Sequence, residues 1–150
     1  YVEQHTRRAL LPQTIQHVRE DFPDCTVQNP KGVLSLYRSP VRSLVSVSYV
    51  DDEGENQTYD ISTDLVLDTV SEPAKLCRSF GENWAITAKQ PAAVTLTYTA
   101  GYDDATSIPS PIKSAILLLI GELYERRENF VKQMPDAVGY LLSPYIVREF

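Results

Sequence analysis

The sequence is poor in the side chains that most often bind metals or carry catalysis. It contains only two histidines, His5 and His17, and two cysteines, Cys25 and Cys77. No two of these four residues stand at a metal-ligand spacing, so we predict no metal site and no cofactor. Both histidines are expected to be structural, and both cysteines to be buried thiols of a reducing compartment. A disulfide between them would require Cα atoms within about 7 Å, which the sequence does not decide.

Catalytic motifs are also missing. No serine lies in a Gly-x-Ser-x-Gly context, and the six glycines form no phosphate-binding loop. The densest carboxylates, in Asp51–Glu55, lack the ordered alternation of a calcium loop and are expected to form a solvated hairpin tip. We therefore predict no catalytic residues, and an enzyme is the weakest interpretation of this chain.

Positive charge and long apolar runs are scarce as well. The net charge is −6, which argues against a protein that coats DNA, although DNA could pass such a surface without specific binding. The basic pair Arg126-Arg127 is compatible with a helix C-terminus or with contact to DNA or an acidic partner. No apolar run reaches the roughly 18 residues of a membrane span, so no membrane association is predicted.

The hydrophobic periodicity predicts an α+β fold in a single domain, residues 1–150. A helix is expected over residues 1–10, a β-rich part over 14–99, helical structure over 110–142 and an extended tail over 143–150. An antiparallel sheet inserted between an N-terminal helix and a long C-terminal helix follows from this segregation. Val41–Val50 alternates, with Val45, Val47 and Tyr49 expected on one side.

The long C-terminal helix is too apolar for a solvated surface. Ser110 is a plausible N-cap, and Pro111 suits the first helical position. A helix that is apolar on most sides is buried on most sides, so part of it is expected to contact another subunit. The suspected interface residues are Ile112, Ile116, Leu119, Ile120, Leu123 and Tyr124.

The tail offers a second suspected contact. Tyr145, Ile146, Val147 and Phe150 are apolar, and little chain remains to cover them. The tail either folds back on its own domain or docks as an arm on a partner, with Tyr145 and Phe150 as anchors. We favour the docking arm.

Four segments in chain order resemble the head–tail connector (adaptor) proteins of tailed phages and the equivalent neck proteins of gene transfer agents. They are Tyr1–Thr14, Ser39–Gly54, Val94–Tyr102 with Ile108–Ile116 and the following Leu123–Arg127, and Leu141–Tyr145. The chain departs from the family at Thr6-Arg7-Arg8, where such proteins often carry Thr-Gly-Arg and where glycine would be the natural helix C-cap. Members also usually have one or two helices upstream, and upstream residues are expected before Tyr1.

The resemblance implies a structural role in the neck of a virion or phage-like particle assembled in the host cytoplasm. It implies a homo-oligomeric ring of about twelve copies beneath the portal protein. The ring would extend the DNA channel and offer a docking surface for the tail, a stopper or a tail-completion protein. The tail residues would then dock on the portal. The alternatives are another neck or tail-completion ring protein, or a small β-rich ligand-binding module.

Overall fold

The structure is a computed structural model and describes residues 1–24, 32–125 and 136–148. A short helix, α1, precedes the strands, and two further helices follow them. The bounds are α1 Val2–Thr6, β1 Gln13–Arg19, β2 Leu34–Leu36, β3 Val41–Val50, β4 Asn56–Thr58, β5 Leu65–Asp68, β6 Ala74–Arg78, β7 Val94–Ala100, α2 Ser110–Glu125 and α3 Asp136–Leu142, with a 3₁₀ turn at Ser143–Tyr145. The predicted α+β class is confirmed.

The strands form two antiparallel sheets rather than the single sheet that the sequence predicted. One sheet has four strands in the order β1-β7-β3-β4, and the other has three in the order β2-β6-β5. β7 lies at the centre of the larger sheet and pairs with β1 over seven unbroken positions, from Gln13–Ala100 to Arg19–Val94. Its inward side chains alternate with outward ones, as a half-buried strand requires.

The predicted alternation of β3 is wrong at Val45. The register with β7 shifts between Val41 and Ser43 and again between Leu44 and Ser46. Each shift inserts an extra residue, which turns the following side chains to the other face. Leu44 therefore points into the core while Val45 is 48% exposed.

Several element ends also differ from the expectation. The first helix ends at Thr6 rather than near residue 10, and Arg7 takes the left-handed conformation with φ 56° and ψ 30°. This is the conformation that a glycine C-cap favours, and here an arginine takes it. Ser110 is the first helical residue of α2 rather than its N-cap, because the Pro109 carbonyl accepts from the Lys113 amide at 3.3 Å.

The β-rich part has its own apolar core between the two sheets. Leu36, Val47, Leu76 and Leu96 are completely buried in it. A cluster of aromatic side chains closes one end of this core. In this aromatic cluster, Phe22 stacks on Trp84 with ring centroids 4.5 Å apart. The core is therefore filled by residues of the strands and of their connecting loops.

A second apolar core lies in the helical part. Its buried members come from α1, α2, α3 and the loop before α2, and they are Val2, Ile108, Ile112, Ala115, Val138 and Leu142. The junction between the two parts is Gly101, which directly follows β7 and has φ 121°. A Cβ atom at Gly101 would lie 2.2 Å from the Leu11 carbonyl oxygen, so only glycine lets the two chain segments pass.

Candidate assembly surfaces

The exposed surface of α2 is apolar. Only Ile112 and Ala115 of this helix are buried, and α3 packs along its side. Five large apolar side chains of α2 are about half exposed or more: Leu117 at 68%, Leu118 at 48%, Ile120 at 56%, Leu123 at 53% and Tyr124 at 69%. Apolar area of this extent on one element usually marks a contact.

Four of these residues form one continuous strip, which we call the α2 strip. Leu117, Ile120 and Tyr124 follow one another at spacings of three and four residues, so they share a helix side, and Leu123 extends it. Leu123 also continues the row of Ile116 and Leu119, which pack on the helical core. It is exposed because the last turns of α2 extend past that core.

The structure divides the six suspected interface residues into three groups. Ile112 is completely buried inside its own chain, so its side chain is not available to a neighbour. Ile116 and Leu119 are half-buried against the helical core. Ile120, Leu123 and Tyr124 are exposed. The prediction missed Leu117, although its spacing of three residues from Ile120 indicated that both lie on the same side of the helix.

The tail, as far as it is described, lies on its own domain. Tyr145 packs against the helical core, and Val147 is only 4% exposed. The Val147 amide donates a hydrogen bond to the Thr6 carbonyl at 3.0 Å. The expectation that no chain remains to cover these residues is therefore wrong for Val147. Phe150 lies outside the described residues.

One arginine that the sequence did not single out holds the tail in place. Arg8 is 6% exposed, and its Nε donates to the Tyr145 carbonyl at 2.7 Å. Its two terminal nitrogens bind both carboxylate oxygens of Glu72. Burial alone would lower the pKa of Arg8, but the paired Glu72 carboxylate raises it, so the guanidinium stays charged. Arg8 thus connects the end of α1, the turn before β6 and the tail.

The sequence also singled out His17 and Cys77, which lie among the described residues. Burial, and secondarily the charge of Arg19, lowers the pKa of His17, which lies edge-on to Tyr37. Cys77 is half-buried in β6. In residues 1–24, 32–125 and 136–148, no three His, Cys, Asp or Glu side chains are grouped to hold a metal ion. Cys25, Arg126 and Arg127 lie outside the described residues.

The acidic loop forms the tip of the β3–β4 hairpin, and its carboxylates serve the turn itself. Asp51 accepts from the amides of Glu53 and Glu55 at 3.1 and 2.9 Å and from the Gln57 side chain at 3.0 Å. The bond from Gln57, followed by those from the backbone, lowers the pKa of Asp51. Asp51 therefore acts as a turn-stabilising group.

An open groove of about 650 Å³ lies beside the aromatic cluster that contains Phe22 and Trp84. Its walls are Glu20–Asp24 and Trp84–Pro91, and the charged residues among them are Glu20, Asp21, Asp24 and Lys89. Within the described part of the chain, no helix is both long and apolar enough to cross a membrane.

Comparison with known proteins gives matches in structure alone. No family model and no curated protein matches the sequence. The fold matches a chain in the neck of a native gene transfer agent particle computed with C12 symmetry, with TM-score 0.76 and 18% identity, over 99% of this chain and 77% of that one. Chains from the neck of the empty particle computed with C6 symmetry and from the native virion match at TM-scores of 0.76 and 0.72, with the same identity. The resemblance inferred from the sequence is confirmed for the fold.

Proposed function

We propose that this protein is a structural component of the neck of a phage-like particle, where it forms a ring as a head–tail connector. The observation that carries the proposal is the match of nearly the entire chain to a neck protein from a particle computed with C12 symmetry. The independent resemblance of four sequence segments to the same class of proteins supports it. No catalytic function is proposed.

The α2 strip supplies a physical reason for assembly. Leu117, Ile120, Leu123 and Tyr124 offer apolar area to a second copy of the chain. Burial of apolar area contributes about 25 cal/mol per Å², so a contact over this strip favours association. A head-to-tail contact between identical subunits that closes on itself forms a ring, and we propose about twelve copies.

The ring is proposed to lie beneath the portal protein and to extend the DNA channel. The tail residues Tyr145, Ile146, Val147 and Phe150 are proposed to dock on the portal. Because Val147 is buried and bonded to Thr6, docking through Val147 requires the tail to leave its own domain. Tyr145 and Ile146 are half-buried and retain surface for a partner in the observed position.

The channel surface is proposed to let DNA pass without binding it. The net charge of −6 offers no phosphate-neutralising excess, and affinity for duplex DNA comes largely from such neutralisation. The opposite face of the ring is proposed to receive a stopper or tail-completion protein.

The proposal is tested by the position and copy number of the protein in particles. Particles assembled with the wild-type chain should contain it in the neck, and Ile120→Lys should prevent its incorporation because a charge would replace part of the α2 strip. Leu118→Lys is the matched control and should be incorporated, because Leu118 is 48% exposed but has no residue of the α2 strip three or four positions away. Wild-type particles without the protein in the neck would refute the proposal.

A further inference from the structure

The paired positions on the outward face of the four-stranded sheet include no charged residue. The cross-strand partners define this face, because residues directly opposite one another point to the same side. Its members are Thr14, Gln16 and Val18 of β1, Thr95, Thr97 and Thr99 of β7, Ser43, Ser46, Ser48 and Val50 of β3, and Asn56 and Thr58 of β4. We call these twelve residues the neutral face.

This neutrality sets the face apart from the rest of the chain. Charged residues make up 23% of the sequence, so about three would be expected among twelve positions. Arg42, in the first bulge of β3, is the one charged residue of that strand; it is exposed beside Ser43 and forms an ion pair with Asp103 at 2.5 Å. Some hydroxyls of the face bind one another, as Ser43 Oγ and Thr99 Oγ1 do at 2.7 Å.

The neutral face ends at two edges of different length. β1 has seven residues, and in residues 1–24, 32–125 and 136–148 no strand other than β7 pairs with it. It contains no proline and no lysine, its register is unbroken, and its only charged residue, Arg19, stands at its end. Edge strands that must avoid pairing usually carry such charges, prolines or bulges, and β1 lacks them.

The opposite edge, β4, is compatible with β1. Asn56, Gln57 and Thr58 are all exposed and uncharged. Among the described strands, each copy therefore has a neutral sheet edge without a second strand partner at both ends of the same sheet. Pairing of β1 with β4 of the next copy would use a different edge on each partner, which is the head-to-tail geometry that closes into a ring.

We propose that the four-stranded sheets of neighbouring copies join edge to edge, β1 of one copy against β4 of the next. This inference rests on the proposed function and adds a specific subunit contact to it, distinct from the α2 strip. Backbone hydrogen bonds would give the contact its affinity, and the neutral face would continue from copy to copy without like-charge repulsion.

Cysteine cross-linking in assembled particles tests this contact. In a background with Cys25→Ser and Cys77→Ser, Gln16→Cys is combined with either Thr58→Cys or Asn56→Cys. The two combinations cover both outward positions of β4. Paired strands place facing Cα atoms about 4.5–5.5 Å apart, within the range of a disulfide. Oxidation should give a ladder of covalent oligomers on non-reducing electrophoresis for at least one combination.

The controls separate this contact from the proposed function. Gln16→Cys alone should give no cross-link, and a dimer from it would overturn the proposal in favour of β1–β1 pairing. Val70→Cys with Gln16→Cys tests chance collision, because Val70 is 92% exposed outside this sheet. Particles that contain the protein in the neck but give no ladder with either combination would overturn this contact and leave the proposed function intact. Absence of the wild-type protein from the neck would overturn both.

Discussion

The central strand β7 and the helix α2 cover their apolar residues to different extents. The inward residues of β7, namely Val94, Leu96, Tyr98 and Ala100, are no more than 1% exposed. On α2, by contrast, Leu117, Ile120 and Leu123 are each more than half exposed. β7 thus buries its inward side chains within one chain, whereas α2 leaves apolar area exposed. This exposed area is the reason for proposing that copies associate through α2.

The largest effect is expected at Gly101, where the β-rich part and the helical part of the chain meet. Gly101→Ala should lower the free energy of unfolding by about 4 kcal/mol or more, because the new Cβ collides with the Leu11 backbone at a positive φ. Gly54→Ala is the control, since Gly54 also has a positive φ of 88° but nothing within 4 Å. It should cost only about 1–2 kcal/mol. If urea unfolding gave equal losses of free energy for the two variants, the close approach of Gly101 to the Leu11 backbone would be contradicted.

Two isoleucines of the same helix sharpen the comparison. Ile112→Ala should cost about 2–5 kcal/mol, because Ile112 is completely buried in the helical core. Ile120→Ala should cost less than about 0.5 kcal/mol, since Ile120 is 56% exposed. The two variants should rank in the opposite order in assembly, because Ile120→Ala removes part of the α2 strip and so weakens the association of copies directly. Chemical denaturation measures the loss of stability, and the copy number in particles measures the loss of association. A large loss of stability for Ile120→Ala would show that the chain itself covers the α2 strip.

A smaller effect, here a gain in stability, is expected from replacing Arg7, whose backbone has the left-handed conformation with φ 56°. Arg7→Gly should raise the free energy of unfolding by about 0.5–1 kcal/mol, because glycine takes this conformation without steric cost. Arg7→Ala keeps the Cβ and removes the same side-chain contacts, so it is the matched control and should give no gain. Stabilisation by alanine but not by glycine would refute the backbone explanation.

The smallest effect concerns pH and the loop before α2. Asp104 accepts from Thr106 Oγ1 at 2.6 Å and from the amide and hydroxyl of Ser107 at 2.8 and 2.9 Å. These bonds, the one from Thr106 first, lower the pKa of Asp104 from 3.8 to about 2. Because the folded-state pKa is depressed, the stabilising effect is present above pH 3.8 and is lost as the pH falls toward about 2.

Carbon-detected titration of the Asp104 carboxyl by NMR measures this shift. The stability difference between wild type and Asp104→Asn should shrink over the same pH interval. A carboxyl that titrates at or above 3.8 would contradict the observed hydrogen bonds.

Much of the fold was predictable because its elements have strong local signals. The change in hydrophobic period placed the β-rich part ahead of the long helix, and the Ser-Pro start with a long apolar pattern placed the beginning of α2 to within a residue or two. The exposed position of Val45 was not predictable, since a bulge depends on pairing with β7 and leaves no mark in the period of β3. The division of the strands into two sheets depends likewise on long-range pairing.

The candidate surfaces were predictable only in part. Helical periodicity indicated that α2 is apolar nearly all round, but not which side its own chain covers. Ile112 and Ile120 therefore looked equivalent, although only the first is buried. The position of the tail depends on Arg8, whose partners Glu72 and Tyr145 lie 64 and 137 residues away. No local pattern reports such contacts.

The central claim is that this chain forms a ring in the neck of a particle, and the copy number there tests it most directly. Cryo-electron microscopy of purified particles, reconstructed at the neck without imposed symmetry, would count the copies of this fold. We predict a closed ring of about twelve. One or two copies per particle, or none at the neck, would contradict it.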